Sequence, residues 1–428
     1  MKLRRLCSVH ILTLWLCCQT ALANPTELSL ADSIQLAFKN NPILQIAQAR
    51  QGQSAWSVKE AKAAKGLTLK YAHLDRRSTE PLSWMSSLEA ISPANYFNNK
   101  LTASLPLYTG GKIENIITQA DLGLQISELE IIAAKQRLQF ETTMGYYGVL
   151  QSRTLLEVSK QTVDDLTAHL KRVQKMYDTG VVAWHDVLQT KVRLANSENN
   201  LVRAQNGYDL AVYSLNKTIG LPLRSELKLV EPLAYNPYPL TFEEVVSQGL
   251  AKRAEIKQTQ ANVRIKEAQE KVARSEQYPT VALVGTMTWQ DTDFAGTNNR
   301  NWTAMMITEL NVFTSGSTQA KIKQAQLGIV AAQEQVRQVE DNISLEISGA
   351  FLSMKEAEKR IATNKVAVEE ASVNYKIAQK RYSAGVGTNL DVMDAELAMN
   401  QAKTNYVNSL YDYNASKARL DKAIGAVI

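Results

Sequence analysis

The sequence predicts a mainly α-helical fold that carries a β-barrel portion and is built as a tandem structural repeat. Three observations point to it. The chain contains only 19 Gly and 10 Pro in 428 residues, which favours long uninterrupted elements. Two proline-free stretches of roughly 65 residues have apolar side chains at helical spacing. Four segments of about ten residues alternate apolar with polar side chains, as half-buried strands do.

Residues 1–23 have the pattern of a secretory signal peptide. Three basic residues precede an apolar run that begins at Ile11, and Ala21 and Ala23 provide a small-residue cleavage site. All three cysteines lie in this segment, so the mature chain is expected to form neither disulfides nor thiolate metal sites. Acylation of Cys17 or Cys18 stays an alternative, although the residues before Cys17 are not the small ones that such processing needs.

The charge of the chain gives little support for a nucleic-acid partner. The formal net charge is +6, and removal of residues 1–23 lowers it to about +3. Beyond this segment no apolar run reaches the roughly 18 residues of a membrane-spanning helix. If the protein crosses a membrane, we therefore expect strands to do so.

Self-similarity divides the mature chain into two repeats. We expect a first repeat at residues 24–220, a proline-rich linker at 221–239 and a second repeat at 240–428. The matching pairs of segments are 28–44 with 240–256, 107–111 with 312–316, and 177–220 with 382–425.

Each repeat is predicted to run helix, strand, strand, long helix, sharp turn and return helix. At 1.5 Å per residue, each long helix spans about 100 Å and needs neighbours along its whole length. In the first repeat we expect strands at about 66–75 and 99–107, a long helix at about 112–178 and a return helix at about 186–219. In the second they are expected at about 280–290, 302–312, 317–382 and 389–424.

The return helices carry two seams with a seven-residue period, which indicates left-handed coiled-coil contacts. A large and a small seam on each helix suit a curved wall of helices, and an ordinary antiparallel coiled coil without a lumen is the alternative. In the second repeat the large seam is Val392, Met399, Tyr406, Tyr413 and Leu420, and the small seam is Ala395, Ala402, Ser409 and Ser416. In the first repeat they are Val187, Leu194, Leu201, Tyr208 and Leu215, and Thr190, Ser197, Ala204 and Ala211.

The strands favour the wall over the simple coiled coil. Their length of about ten residues is that of a tilted strand in a membrane barrel. Polar residues such as Lys70, Thr102 and Thr286 are expected to line the lumen, and their apolar neighbours to face lipid. Four strands cannot enclose a passage, since even eight only fill their own interior. Three copies would supply twelve strands.

Two motifs resemble the TolC family of outer-membrane efflux and secretion channels. They are LPLYTGG at residues 105–111, where a strand meets a helix, and RYSAGVGTNLDVMDA at residues 381–395, at the helical turn. The resemblance covers nearly all of the mature chain. It implies a homotrimer with a twelve-stranded barrel in outer-membrane lipid and a trimeric α-barrel in the periplasm. It also implies a passive exit duct for efflux or type I secretion, opened by a periplasmic adaptor and an inner-membrane pump of the RND, ABC or MFS type.

A pore aperture is expected at the start of the second return helix. Asp391 and Asp394 lie three residues apart, so both can face the same way. Under threefold symmetry they would form two carboxylate rings that attract cations and raise one another's proton affinity. Asp186 is the first-repeat equivalent of Asp391. The alternative is that Asp391 caps its helix, and both roles can hold together.

The two turns form the expected tip of the helical tunnel. Gly180 and Gly385 are expected to supply the left-handed backbone that ends a long helix abruptly. The resemblance implies that this tip docks the hairpin of an adaptor. The predicted docking residues are Tyr177, Gly180, Val181, Arg381, Tyr382, Gly385, Val386 and Gly387.

Enzyme chemistry has no support in the sequence. There is no phosphate-binding loop, nucleophile elbow or zinc-protease motif. The histidines of the mature chain, His73, His169 and His185, lack ligand-like spacing. We expect no catalytic residues, metal or cofactor. A periplasmic adaptor or a soluble coiled-coil scaffold are the alternative functions.

Overall fold

The computed structural model describes residues 26–77, 95–293 and 298–426. The predicted signal peptide, with its cysteines, lies outside these ranges. Residues 78–98 lie between the first two predicted strands, where we expect an extracellular loop, and most of them lie outside these ranges too.

The described residues form a mainly helical structure with one larger and one smaller sheet. The elements in chain order are β1 (Thr26–Leu28), α1 (Leu30–Asn40), α2 (Pro42–Ala63), β2 (Thr68–Arg77), β3 (Asn95–Tyr108), α3 (Lys112–Asp178), α4 (Trp184–Ile219), β4 (Leu227–Leu229), α5 (Phe242–Lys252), α6 (Ala254–Ser275), β5 (Thr280–Asp291), β6 (Arg300–Glu309), α7 (Ser317–Ser383) and α8 (Asn389–Ala423).

The long helices form two antiparallel hairpins. α3 and α7 each contain 67 residues, which corresponds to about 100 Å. α3 pairs with α4, α7 pairs with α8, and α8 also packs against α3 and so joins the hairpins. No helix in the described ranges has an apolar stretch of the length needed to cross a membrane.

The coiled-coil seams differ in burial between the two return helices. On α8 every seam residue is buried except Tyr406, which is half-buried. On α4 only Val187, Leu215, Thr190 and Ser197 are buried, and the other seam residues are half-buried. The difference arises because α8 packs against both long helices, α3 and α7, whereas α4 packs extensively against α3 but not against α7.

The larger sheet has the order β2-β3-β5-β6, with all neighbours antiparallel. Pairing of β3 with β5 joins the two halves of the chain. The register sets Lys70 opposite Thr102 and Thr102 opposite Thr286, so these three residues share one face. The other face exposes Leu69, Tyr71, Leu283, Met287, Trp302 and Met306.

Three features differ from the predicted elements. Before its first long strand, each half has two helices where the sequence predicts one. They are α1 and α2 in the first half, and α5 and α6 in the second. In the first half Pro42 starts the second helix, and the Asn41 side chain caps it by accepting from the Ile43 amide at 2.9 Å. The predicted linker contains β4, which pairs in parallel with β1. Strands of three residues are too short to show alternation, so no periodic pattern identifies them.

The strand predicted at about 302–312 differs at both ends from β6, which spans Arg300–Glu309. Beyond it the chain turns into α7 through Ser315 and Gly316, both with positive φ, at 50° and 84°. The first half makes the equivalent turn with Gly110 and Gly111, and there the strand runs on to Tyr108.

Candidate functional site

In the connection between α3 and α4, a glycine in the left-handed conformation ends α3. Gly180 has φ +76°, and its amide donates to the Tyr177 carbonyl at 2.8 Å. The Val181 amide donates to the Met176 carbonyl, also at 2.8 Å. This pair of bonds satisfies carbonyls that the end of a helix would otherwise leave without partners.

The second turn repeats that geometry at the end of α7. Gly385 has φ +75°, its amide donates to the Tyr382 carbonyl, and the Val386 amide donates to the Arg381 carbonyl, both at 3.0 Å. Gly387 is favoured for a different reason, namely the close packing around it. A Cβ there would lie 3.2 Å from both the Arg381 Cβ and the Tyr382 amide nitrogen.

The predicted docking residues divide into exposed and buried ones. Val181 and Val386 are 61% and 67% exposed, and Arg381 is also exposed. Tyr177 is 39% exposed, and its ring lies 5.0 Å from that of Trp184, tilted by 51°. Tyr382, its counterpart in the second half, is only 2% exposed. In this conformation the Tyr382 side chain therefore belongs to the core of the tip and not to its docking surface.

Asp391 caps α8. Its carboxylate accepts the Thr388 amide at 2.9 Å, and its own amide donates to the Thr388 hydroxyl at 3.1 Å. The hydrogen bonds from the Thr388 amide and side chain lower the pKa of Asp391, and Arg381 contributes a smaller lowering. The capping alternative thus describes the protomer, and the capped carboxylate remains exposed and charged.

Asp394 and Asp186 occupy different surroundings. Asp394 is exposed and lines a groove between α4 and α8 together with His185, Leu188 and Val192. Asp186 is half-buried, and its carbonyl accepts from the Asn389 amide group at 3.3 Å and from the Thr190 hydroxyl at 2.8 Å. In the protomer, Asp186 therefore contributes its backbone to the contact between the two return helices.

A buried polar cluster lies directly beneath the turns. The Asn389 side chain contacts His169 Nε2 at 2.8 Å and Thr190 Oγ1 at 3.2 Å. All three residues are at most 2% exposed. His169 Nδ1 has no hydrogen-bond partner among the described residues, and the His169 ring lies 5.4 Å from that of Tyr382. We name His169, Thr190 and Asn389 the tip cluster; it joins α3, α4 and α8.

Burial lowers the pKa of His169, and nearby Arg172 lowers it further, against the opposing effect of the Asn389 hydrogen bond. The neutral imidazole is therefore the form that fits this packed tip.

A buried ion pair continues the contact between α4 and α8. Arg193 lies 3.2 Å from Glu396, whose side chain is 1% exposed. Asn400 also donates to that carboxylate. Burial raises the pKa of Glu396, although Arg193 and Asn400 favour its ionised form. Breaking this pair would leave a buried charge without compensation.

Sequence reasoning does not identify the tip cluster or the ion pair as a site. His169 is recorded there only as an isolated histidine, and Thr190 as a small seam residue. The available signal is polar residues beside an otherwise apolar seam, as Asn389 and Glu396 are beside the α8 seams. Among the residues that the structure describes, no group of three or more His, Cys, Asp or Glu side chains could hold a metal ion.

The family profile described as "Outer membrane efflux protein" matches residues 33–221 and 245–426. The chain is 22% identical to outer membrane protein TolC of Escherichia coli (strain K12) over 329 residues, 73% of this chain and 66% of that relative. It is 21% identical to the alkaline protease secretion protein AprF of Pseudomonas aeruginosa over 305 residues, 69% of this chain and 63% of that relative. The matched part thus spans slightly less than two thirds of these relatives.

Solved structures give the same fold over more of the chain. The CmeC outer membrane channel of Campylobacter jejuni superposes with a TM-score of 0.81 at 17% identity, covering 92% of this chain and 85% of that one. The outer membrane protein VceC of Vibrio cholerae superposes with a TM-score of 0.77 at 21% identity, covering 93% and 96%. With the profile matching most of both halves, the chain belongs to the outer membrane efflux protein family, the family of TolC.

Proposed function

We propose that the protein is the outer-membrane exit duct of a tripartite efflux or type I secretion system and acts as a homotrimer. The observation that carries this proposal is the four-stranded sheet. Its outer strands, β2 and β6, each have ten residues and are exposed along nearly their whole length. An open sheet edge does not occur in the hydrocarbon of a membrane. Pairing of β2 in one copy with β6 in the next removes both edges, and three copies give a twelve-stranded barrel.

The two faces of the sheet suit that barrel. The exposed apolar side chains of one face would contact lipid, and the face with Lys70, Thr102 and Thr286 would line a wet lumen. The half-buried seams of α4 would be covered by helices of a neighbouring copy, which closes a wall of twelve long helices. The twelve helices of that wall are α3, α4, α7 and α8 from each of three copies. This arrangement favours the α-barrel over a coiled coil without a lumen.

We also propose the division into a signal peptide at 1–23, repeats at 24–220 and 240–428, and a linker at 221–239. Equal lengths support the duplication, with 67 residues in both α3 and α7, and 36 and 35 residues in α4 and α8. The two stretches matched by the family profile fall one in each repeat.

The tip would be both the gate and the docking surface. Three copies of Asp391 and Asp394 would form carboxylate rings around the axis, with Asp186 nearby. The exposed Val181 and Val386 would contact the hairpin of a periplasmic adaptor, while the buried Tyr382 would support the turn from inside. An adaptor that binds the open tip more tightly than the closed one shifts the equilibrium towards opening.

The proposed partners are that adaptor, an inner-membrane pump of the RND, ABC or MFS type and outer-membrane lipid. The protein named for alkaline protease secretion and the channels of efflux pumps are both among its relatives, so both kinds of export fit. Periplasmic adaptor function finds no support in a match to outer-membrane channels. We propose neither a catalytic role, a cofactor nor a nucleic-acid partner.

The test is the native mass and membrane partition of the protein purified from outer-membrane fractions in detergent, followed by conductance in planar bilayers. We expect a trimer that salt does not extract and that forms conducting channels. A soluble monomer or dimer would exclude the barrel and return the chain to the coiled-coil class. A membrane-bound trimer without conductance would exclude the duct but not the assembly.

A further inference from the structure

The face of the larger sheet that carries Lys70, Thr102 and Thr286 has two lysines near its middle. Lys70 pairs with Thr102, and Lys100 pairs with Ala72 and Thr288. The two lysines therefore lie on the same face, on adjacent strands and two residues out of register. Diagonal neighbours of this kind are about 7–8 Å apart. Both side chains are exposed.

Neither lysine has a carboxylate partner among the described residues. No salt bridge among the described residues involves Lys70 or Lys100. Their cross-strand neighbours on this face are Ala, Asn and Thr residues.

Among the residues that the structure describes, the nearest carboxylate along this face is remote. Glu309 pairs with Thr280 at the end of the sheet next to the helices. Thr303 pairs with Thr286 and therefore lies level with Lys70 across the sheet. Glu309 is six residues further along β6 than Thr303, a distance of about 20 Å. That exceeds the Debye length of about 8 Å in physiological salt, so Glu309 does not neutralise the lysines.

We propose that Lys70 and Lys100 form an anion-binding girdle in the strand-lined lumen. The inference rests on the proposed trimeric duct, in which six lysines from three copies point into one passage. Two cations about 7–8 Å apart can engage neighbouring phosphates or carboxylates of one polyanionic solute. The girdle favours anionic over cationic solutes in the barrel, whereas the aspartates act at the far end of the helices.

The opposite signs of the two regions separate their effects. A carboxylate ring attracts cations, and a lysine ring attracts anions. A polyanion added on the barrel side reaches the lysines first, and a polyvalent cation added on the tip side reaches the aspartates first. Sidedness therefore distinguishes the girdle from the proposed gate.

The experiment uses full-length trimers in planar bilayers, with inositol hexakisphosphate as the blocking polyanion. We expect the wild type to be blocked from the barrel side and less from the tip side. In Lys70→Gln with Lys100→Gln, half-block should require at least about tenfold more blocker, since each lysine contributes about fivefold at contact distance in water. The permeability ratio of chloride to potassium should also fall, because the passage loses fixed positive charge.

The matched control is Lys70→Arg with Lys100→Arg, which keeps both charges and should keep the block. Conducting channels whose block is equal in the wild type and the glutamine variant would overturn the girdle and leave the duct intact. If the glutamine variant does not assemble, wild-type channels that are not blocked from the barrel side refute the girdle by themselves. A wild type that forms no channels overturns the proposed duct and the girdle with it.

Discussion

Replacement of Asn389 by alanine should release the closed tip. This side chain contacts His169 Nε2 at 2.8 Å, Thr190 Oγ1 at 3.2 Å and the Asp186 carbonyl at 3.3 Å. Thr190 keeps its own bond to the Asp186 carbonyl at 2.8 Å. The imidazole loses more, because its Nδ1 already lacks a hydrogen-bond partner among the described residues. Asn389→Ala thus leaves a buried ring with neither nitrogen bonded.

The size of the effect follows from that loss. A buried polar group without a partner costs about 1–3 kcal/mol. If opening admits water to the tip, the open state does not carry this cost, and the ratio of open to closed channels rises by about 5–150-fold. The value should lie in the upper part of the range, because His169 and Asn389 are only 1% and 2% exposed.

The assay is the open fraction of single channels, recorded at neutral pH and matched voltage. The control is Asn364→Ala. Asn364 also bonds across a helix pair, to the Asn405 carbonyl at 3.2 Å, but at an exposed position where water can replace the side chain. We expect the control to keep the wild-type open fraction. Equal open fractions for Asn389→Ala and the control, in trimers of normal mass, would refute the idea that the tip cluster holds the hairpins together.

Three further predictions concern the tip. Asp391→Asn with Asp394→Asn should reduce the preference for cations and the block by polyvalent cations from the tip side, and unchanged reversal potentials would move the aperture elsewhere. Because burial lowers the pKa of His169, its contribution to closure is complete above about pH 6.5 and is lost as the pH falls through the lowered pKa. Recordings at about pH 5 and 7 should show acid opening in the wild type and none in His169→Gln; acid opening in both would exclude His169 as its source. Gly385→Ala should lower the free energy of unfolding by about 1–2 kcal/mol per protomer, because φ at this position is +75°. The space around the added Cβ is open, so the cost comes from the backbone alone. The control Gly349→Ala, inside α7, should not lower the free energy of unfolding in thermal denaturation.

The sequence predicted the regular parts of the fold because they obey simple periods. Seven-residue spacing on α8 identified side chains that are nearly all buried, and alternation in β2, β3 and β5 assigned residues such as Lys70 and Thr102 to one face. The break at Pro42 and the three-residue strands were missed, since neither produces a period. The end of β6 was missed because the apolar residues Leu310, Val312 and Phe313 continue past Glu309, where the strand ends.

The candidate site was predictable only at the turns. Glycine after a long helix indicates a left-handed turn, and both Gly180 and Gly385 adopt it. The burial of Tyr382 could not be predicted, because equivalent positions of a repeat suggest equal exposure. The two tyrosines differ because Tyr382 belongs to a buried cluster with Val173, Val187 and Val392 and lies beside His169, whereas Tyr177 lies beside the exposed Trp184. Contacts between hairpins depend on which helices become neighbours, and that information is not local.

The start of α8 combines three tasks within four residues. Thr388 and Asp391 form the cap, Asn389 enters the tip cluster, and Asp391 carries the charge proposed for the aperture. The cap holds that carboxylate against the helix end and lowers its pKa, which opposes the rise expected from crowding in a trimer. It also ties the charge to the helix, so Asp391 cannot move far unless α8 moves. Because Asn389 bonds to α3 and α4, such movement must first break the tip cluster. The charge of the aperture and the contact between hairpins are therefore expected to change in one step.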